Sequence, residues 1–228
     1  MTWWDNATAT HGACGRAVLP VRAMMLPCEQ LSFGKRRAEV EMIRLMSPKR
    51  ATKVLERYDG WIEDVARRYD MPSALVKAVL YQEMTQMDVL DPVADVAVQI
   101  APRYSRDSST GYAQIFGRTG LAAVNFAVDR GLATYESLGI DAVHRLDAKS
   151  ARDVHKVWLK LHRDKQANIE IAALVLLMIA DEVVGRTDFE SFTDDELKLV
   201  FTRYNADVDY ITSYGEQVFD HYERFRGE

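Results

Sequence analysis

Cysteine is scarce: Cys14 and Cys28 are the only two in 228 residues, and both precede the first convincing helix. No cross-link can therefore staple the main body, and a disulfide scaffold is excluded, while the redox state of the pair stays open. Long apolar runs are missing as well. The best candidate, residues 169–184, carries Glu170, Asp181 and Glu182 and falls short of the ~20 apolar residues a membrane span requires. It reads as a buried core helix, and no stable membrane insertion is expected. Positive charge is not in excess, with 29 Lys and Arg against 34 Asp and Glu, a net charge of −5 and a pI near 5.6. No general pull toward nucleic acid or an anionic surface follows, which argues against a helix-turn-helix DNA binder despite the short helices. Internal repeats and low-complexity tracts are absent.

The first thirty residues do not have the pattern of a signal peptide, since Ala17 to Leu26 is interrupted by Pro20 and Arg22. Export by the usual route is not expected, and localisation is left unknown. Residues 1–45 are read as an N-terminal extension of uncertain structure, with Met42 and Met46 as alternative starts, and residues 46–228 as one domain.

What is present is the composition of a folding globular chain, 48% hydrophobic and 28% charged. After residue 46 helical patterns follow one another, separated by Gly, Pro and Asp signals. Ser47-Pro48 starts a helix in which Trp61, Ile62, Val65, Ala66 and Tyr69 recur at helical spacing, and Asp70-Met71-Pro72 ends it. Pro72 or Ser73 opens a second, with Leu75, Val76, Val79, Leu80, Met84 and Met87 in one stripe. Residues 88–110 lose the pattern, and a loop that long inside a compact domain is usually functional.

A third helix spans about residues 119–128 and stops at Gly131. Ser150-x-x-Asp153 and Thr193-x-x-Glu196 have the form of capping boxes, so helices begin there, with an apolar helix over 168–184 between them. A last helix carries Ile211, Tyr214, Val218, Tyr222 and Phe225 on one face. No segment alternates for long, so the expected fold is all-α, with a small β-hairpin near residues 105–115.

Glu83 breaks the pattern. It lies seven residues after Val76, four after Val79 and three after Leu80, within the apolar stripe of its helix. A carboxyl so placed must find a partner or keep its proton, and keeping the proton is what a general acid requires. The plain alternative is a structural ion pair or a carboxylate that snorkels to water.

Four elements in order then resemble the lytic transglycosylase (SLT) domain of the goose-type lysozyme-like superfamily, over roughly residues 55–225. The family's Glu-Ser pair closing an apolar helix is matched by Glu83-Met84, with Met in place of Ser. Its Gly-Leu-Met-Gln-Ile is matched by Gly111-Tyr112-Ala113-Gln114-Ile115, and its Asn-Ile opening a buried helix by Asn168-Ile169. Its Ala-Tyr-Asn-Ala-Gly is matched by Arg203-Tyr204-Asn205-Ala206-Asp207, with Asp in place of Gly.

The resemblance implies a lysozyme-like helical fold that cleaves the β-1,4 bond between N-acetylmuramic acid and N-acetylglucosamine in peptidoglycan. Glu83 would be its single catalytic acid and base, and Gly111, Tyr112, Gln114, Tyr204 and Asn205 would bind substrate. In the family the Tyr204 hydroxyl faces the catalytic carboxyl, and neither a metal nor an organic cofactor takes part. The expected partner is the glycan strand; nothing sets the oligomeric state. Two alternatives are a muramidase that activates water with Asp88, Asp91, Asp95 or Asp107, and a lysozyme-like helical module that binds without catalysis.

Overall fold

The computed structural model describes residues 46–87, 98 and 108–228. The chain divides into two units, Met1–Val40 and Glu41–Glu228, and every described residue belongs to the second. Cys14, Cys28 and the four aspartates at 88, 91, 95 and 107 lie outside the described residues.

The described fold is all-α with one two-stranded hairpin. Its elements are α1 (Pro48–Arg68), α2 (Ser73–Gln86), β1 (Ser109–Thr110), β2 (Ile115–Phe116), α3 (Gly117–Asp129), α4 (Ala151–Arg163), α5 (Lys165–Val183), a 3-10 turn (Phe189–Ser191), α6 (Asp194–Asn205) and α7 (Ser213–Arg226). Local chemistry sets most boundaries. Ser47 caps α1 ahead of Pro48, Asp70 ends it with a φ of 51°, and Gly131, at φ 69°, follows α3. Thr193 and Glu196 complete a reciprocal capping box on α6. At α4 the box is half made: Ser150 accepts from the Asp153 amide, while the Asp153 carboxylate accepts from Asp147 instead.

The central element is α5. Ile169, Ile171, Ala172, Leu174, Val175 and Leu176 are all buried, so the helix has no solvent face over that stretch and is wrapped by α1, α2, α3, α4 and α6. Its N-cap is Asp164, whose side chain accepts from the Ala167 amide, so the helix starts before the apolar run and Asn168 falls inside its first turns. Glu170 is also buried there, and it accepts hydrogen bonds from Arg68 and, at 2.7 Å, from the Tyr69 hydroxyl. That pairing satisfies a carboxylate that would otherwise be costly to bury and ties the end of α1 to the core. No helix among the described residues is long and apolar enough to cross a membrane.

Two contacts orient the elements that matter below. Lys77 on α2 bridges Asp59 and Glu63 on α1 at 2.7 and 2.9 Å, fixing that helix pair. Helix α7 packs on both α2 and α6. A Cβ at Gly215 would collide with the Thr202 hydroxyl and the Lys198 carbonyl, so only glycine permits that approach of α7 to α6.

Candidate active site

Glu83 sits in the third turn of α2, flanked by the fully buried Met84 and nearly buried Gln82, and is itself half-buried. The Met84 thioether packs into the core. The group that meets the carboxylate comes from the far end of the chain. Tyr214, in the first turn of α7, donates its hydroxyl hydrogen to Glu83 Oε1.

Three contacts hold Tyr214 there. Thr212 caps α7, and the Thr202 hydroxyl on α6 accepts from the Thr212 amide at 3.1 Å. Gly215 allows the close approach described above. A polar seam joins α2 to α7, with Gln82 donating to Gln217 at 2.9 Å and its own carbonyl oxygen accepting from His221 Nε2 at 3.1 Å. Gln82 is 2% exposed, while Gln217 reaches solvent and His221 is half-buried, so the seam runs from the interior to the surface, and each of its bonds fixes the register of the helix that carries Glu83 against the helix that carries Tyr214.

Tyr204, near the end of α6, also lies within the electrostatic reach of Glu83. Its ring reaches solvent in part, but its hydroxyl is enclosed and donates to the Ala113 carbonyl at 2.9 Å. Burial first, and the negative charge of Glu83 second, push both Tyr204 and Tyr214 well above the ordinary phenol value. Both therefore remain neutral hydroxyl donors at any physiological pH. The expected Tyr204 is thus at the site, but its hydrogen bond goes to the hairpin, and Tyr214 donates directly to the carboxylate.

The hairpin turn is built from Gly111 to Gln114. Gly111 has a φ of 76°, and a Cβ there would run into the Asn168 carboxamide. Asn168 is 1% exposed; its Oδ1 accepts from the Ala113 amide at 3.0 Å and its Nδ2 donates to the Thr110 carbonyl at 3.2 Å. The glycine is required because the core reaches up to grip the turn. Asn168, expected from sequence to open the buried helix, is a clamp.

Gln114 takes a φ of 44°, rare for a residue with a side chain. Its amide donates to the Gly111 carbonyl at 2.9 Å and accepts from the Ser109 hydroxyl at 2.9 Å, so its polar atoms hold the turn together. On the other side, Trp158 donates to the Ser108 carbonyl at 3.1 Å, and Thr110 pairs with His162 at 2.9 Å. A small cleft beside the hairpin is lined by Gln114, Ile115, Phe116, Thr119, Val175 and Tyr204. Phe116, 45% exposed, offers an aromatic face there.

Two of the expected binding residues stand apart. Tyr112 points to α1, with its ring 5.8 Å from that of Tyr58 and Lys165 Nζ 5.0 Å from its centroid; burial first and Tyr58 second push its hydroxyl above the ordinary phenol value, against smaller opposing charges from Arg57 and Arg50. Asn205 is exposed at the end of α6, where its side chain makes no hydrogen bond among the described residues. Asp207 does not adopt the left-handed conformation that a glycine at its position would suggest; it pairs with Arg203, which also meets Glu182 and Asp209 at 3.3 Å each.

Tyr214 is the residue the sequence reading missed. Its signal was present in the same form as that of Glu83, a polar group on an apolar face, but in a tyrosine the ring conceals it. No family model, curated protein or solved structure matches the chain. Among the described residues no cluster of His, Cys, Asp and Glu forms a metal site. Among the described residues, the site joins the Glu83 carboxyl in an apolar helix face to the neutral phenol donor of Tyr214, with the Tyr204 phenol close by.

Proposed function

We propose that the chain is a lysozyme-like lytic transglycosylase that cleaves the β-1,4 bond between N-acetylmuramic acid and N-acetylglucosamine, with Glu83 as its single acid and base. The observation that carries this reading is the hydrogen bond from Tyr214 to Glu83, because it gives the lone carboxyl a partner whose effect grows during proton transfer. With Glu83 protonated, the phenol makes a neutral hydrogen bond. Once the proton has gone to the leaving oxygen the same bond becomes charge-assisted, worth about 1–2 kcal/mol more. An interaction that strengthens as the anion forms lowers the barrier rather than the ground state.

In the proposed sequence Glu83 donates its proton to the bridging oxygen as the C1–O bond breaks. The substrate's N-acetyl group supports the oxocarbenium-like centre. Glu83, now the anion, takes the proton of the C6 hydroxyl as O6 bonds to C1 and closes a 1,6-anhydro ring. Tyr204 and the hairpin clamp form the wall on which the sugar would rest, and the scheme needs no cofactor.

Turbidity of purified bacterial cell walls tests the proposal. The wild-type protein is expected to clear the suspension and Glu83→Gln to leave it unchanged. If the two do not differ from buffer over a broad pH range, the reading fails and the fold serves as a binding module.

A further inference from the structure

Helix α1 carries a surface that the site above does not use. Trp61 is 39% exposed although it lies one residue before the fully buried Ile62. It stacks on Tyr58 with ring centroids 5.1 Å apart and planes 22° apart, and Tyr58 in turn leans on Tyr112 from the hairpin turn. The three rings form one row. Lys165 lies over Tyr112, and Arg57 and Arg50 are near enough to bias its hydroxyl. Among the described residues, none of Arg50, Arg57 and Lys165 has a carboxylate at ion-pair distance, whereas Lys77, Arg67 and Arg68 farther along the same region all do.

Gly60 adds a separate observation. It sits mid-helix between Arg57 and Trp61 on one face, and a Cβ there would meet nothing within 4 Å. Its φ is not positive, so the backbone does not require glycine. Its cost in helix stability, about 1 kcal/mol against alanine, has no packing reason. What the missing side chain does is leave the flank of Trp61 open.

We propose that the Tyr58–Trp61–Tyr112 row, with Arg50, Arg57 and Lys165, is a second glycan-binding surface that holds a carboxylate-bearing peptidoglycan strand away from Glu83. The apolar face of a pyranose ring stacks on aromatic rings, and the acidic groups borne along such a strand meet guanidinium and ammonium groups that lack a partner of their own. Single-stranded nucleic acid is read by similar combinations, but the net charge of −5 opposes a polyanion that offers no compensating sugar-specific contact. The inference rests on the proposed substrate class. The surface would keep the protein on an insoluble wall between cleavage events, so its loss would affect binding to the polymer and spare the chemistry on short fragments.

Co-sedimentation of the full chain with insoluble, purified cell-wall sacculi tests it, with Glu83→Gln as the parent so that the polymer stays intact. Trp61→Ala and Arg57→Glu in that background are each expected to weaken binding about tenfold, the loss of one stack or one charge-assisted contact. Gly60→Glu is expected to raise the thermal midpoint, because it removes a helix glycine, and still to weaken binding, so misfolding cannot account for the loss. In the otherwise wild-type protein, the same three changes are expected to leave turnover of short soluble wall fragments within about twofold.

Parent-like sedimentation of all three variants, or no sedimentation of the parent, overturns the proposal. So does saturable, salt-dependent binding of oligothymidylate that the same changes abolish, since it would assign the surface to nucleic acid. If the variants lose sacculus binding while the wild type never clears walls, the surface stands and the catalytic reading falls. If walls are cleared and the variants bind as the parent does, the surface falls alone.

Discussion

The hydroxyl of Tyr214 rests on the carboxylate of Glu83 across 131 residues of sequence, and the two helices that carry them are locked by Gln82, Gln217 and His221. Removing that hydroxyl in Tyr214→Phe leaves the ring in place. The expected result is a fall in kcat of about 5- to 30-fold with KM little changed, because the lost bond acts mainly as the anion forms. Steady-state kinetics on soluble wall fragments checks this; a change confined to KM would assign the hydroxyl to binding.

Asn168→Ala should cost stability out of proportion to its size. It strands the buried Ala113 amide, at about 1–3 kcal/mol, and takes the Asn168 donor from the Thr110 carbonyl. Urea unfolding should show a loss of about 2–5 kcal/mol, and hydrogen exchange should show the Ala113 amide losing its protection. An Ala113 amide that stays protected would mean that the turn is held without the clamp.

Gly111 and Asn168 are expected to be coupled. Gly111→Ala meets both a left-handed backbone penalty of about 1–2 kcal/mol and the Asn168 carboxamide, and only the second part disappears when Asn168 is already alanine. In a double-mutant cycle the two losses should sum to more than the loss in the double variant. Strict additivity would place the whole cost of Gly111→Ala in the backbone.

The helices were legible in the sequence because their causes are local. Ser47-Pro48, Thr193 with Glu196, and Gly131 each act within a turn of the residue that bears them, and the structure puts helix ends at those places. The hairpin was legible for the same reason, since it is announced by its own turn residues. Tertiary demands were not. Asn168 has the local look of a cap, yet Asp164 caps α5 and leaves Asn168 to grip a turn 55 residues away. Trp61 shares helical spacing with core residues and still reaches solvent, because spacing alone does not tell the edge of a stripe from its centre. Tyr214 is buried like its neighbours Val218 and Tyr222, and only the packing of α7 on α2 reveals what its hydroxyl does.

Acid should weaken the fold in two stages. His221 is held below the ordinary histidine value by burial first and the Arg224 charge second, against a smaller pull from Asp220; burial and Arg163 do the same to His155. In the window just below 6.5 the unfolded chain therefore binds more protons than the folded one, so stability falls as pH drops through it. Glu63 and Asp164, whose lysine partners and hydrogen bonds outweigh burial, hold their protons less tightly than usual and add a further loss only in stronger acid. Urea midpoints followed from about pH 7.5 to about pH 5 should decline, and less steeply in His221→Gln, which keeps a donor for Gln82. A wild-type profile flat over that range would contradict the assignment.

Mass spectrometry of the soluble products from purified sacculi tests the central claim most directly. The account predicts muropeptides ending in 1,6-anhydro-N-acetylmuramic acid from the wild type and none from Glu83→Gln. Reducing ends in place of anhydro ends would contradict ring closure by a single carboxyl, and anhydro products persisting in Glu83→Gln would remove Glu83 from the chemistry.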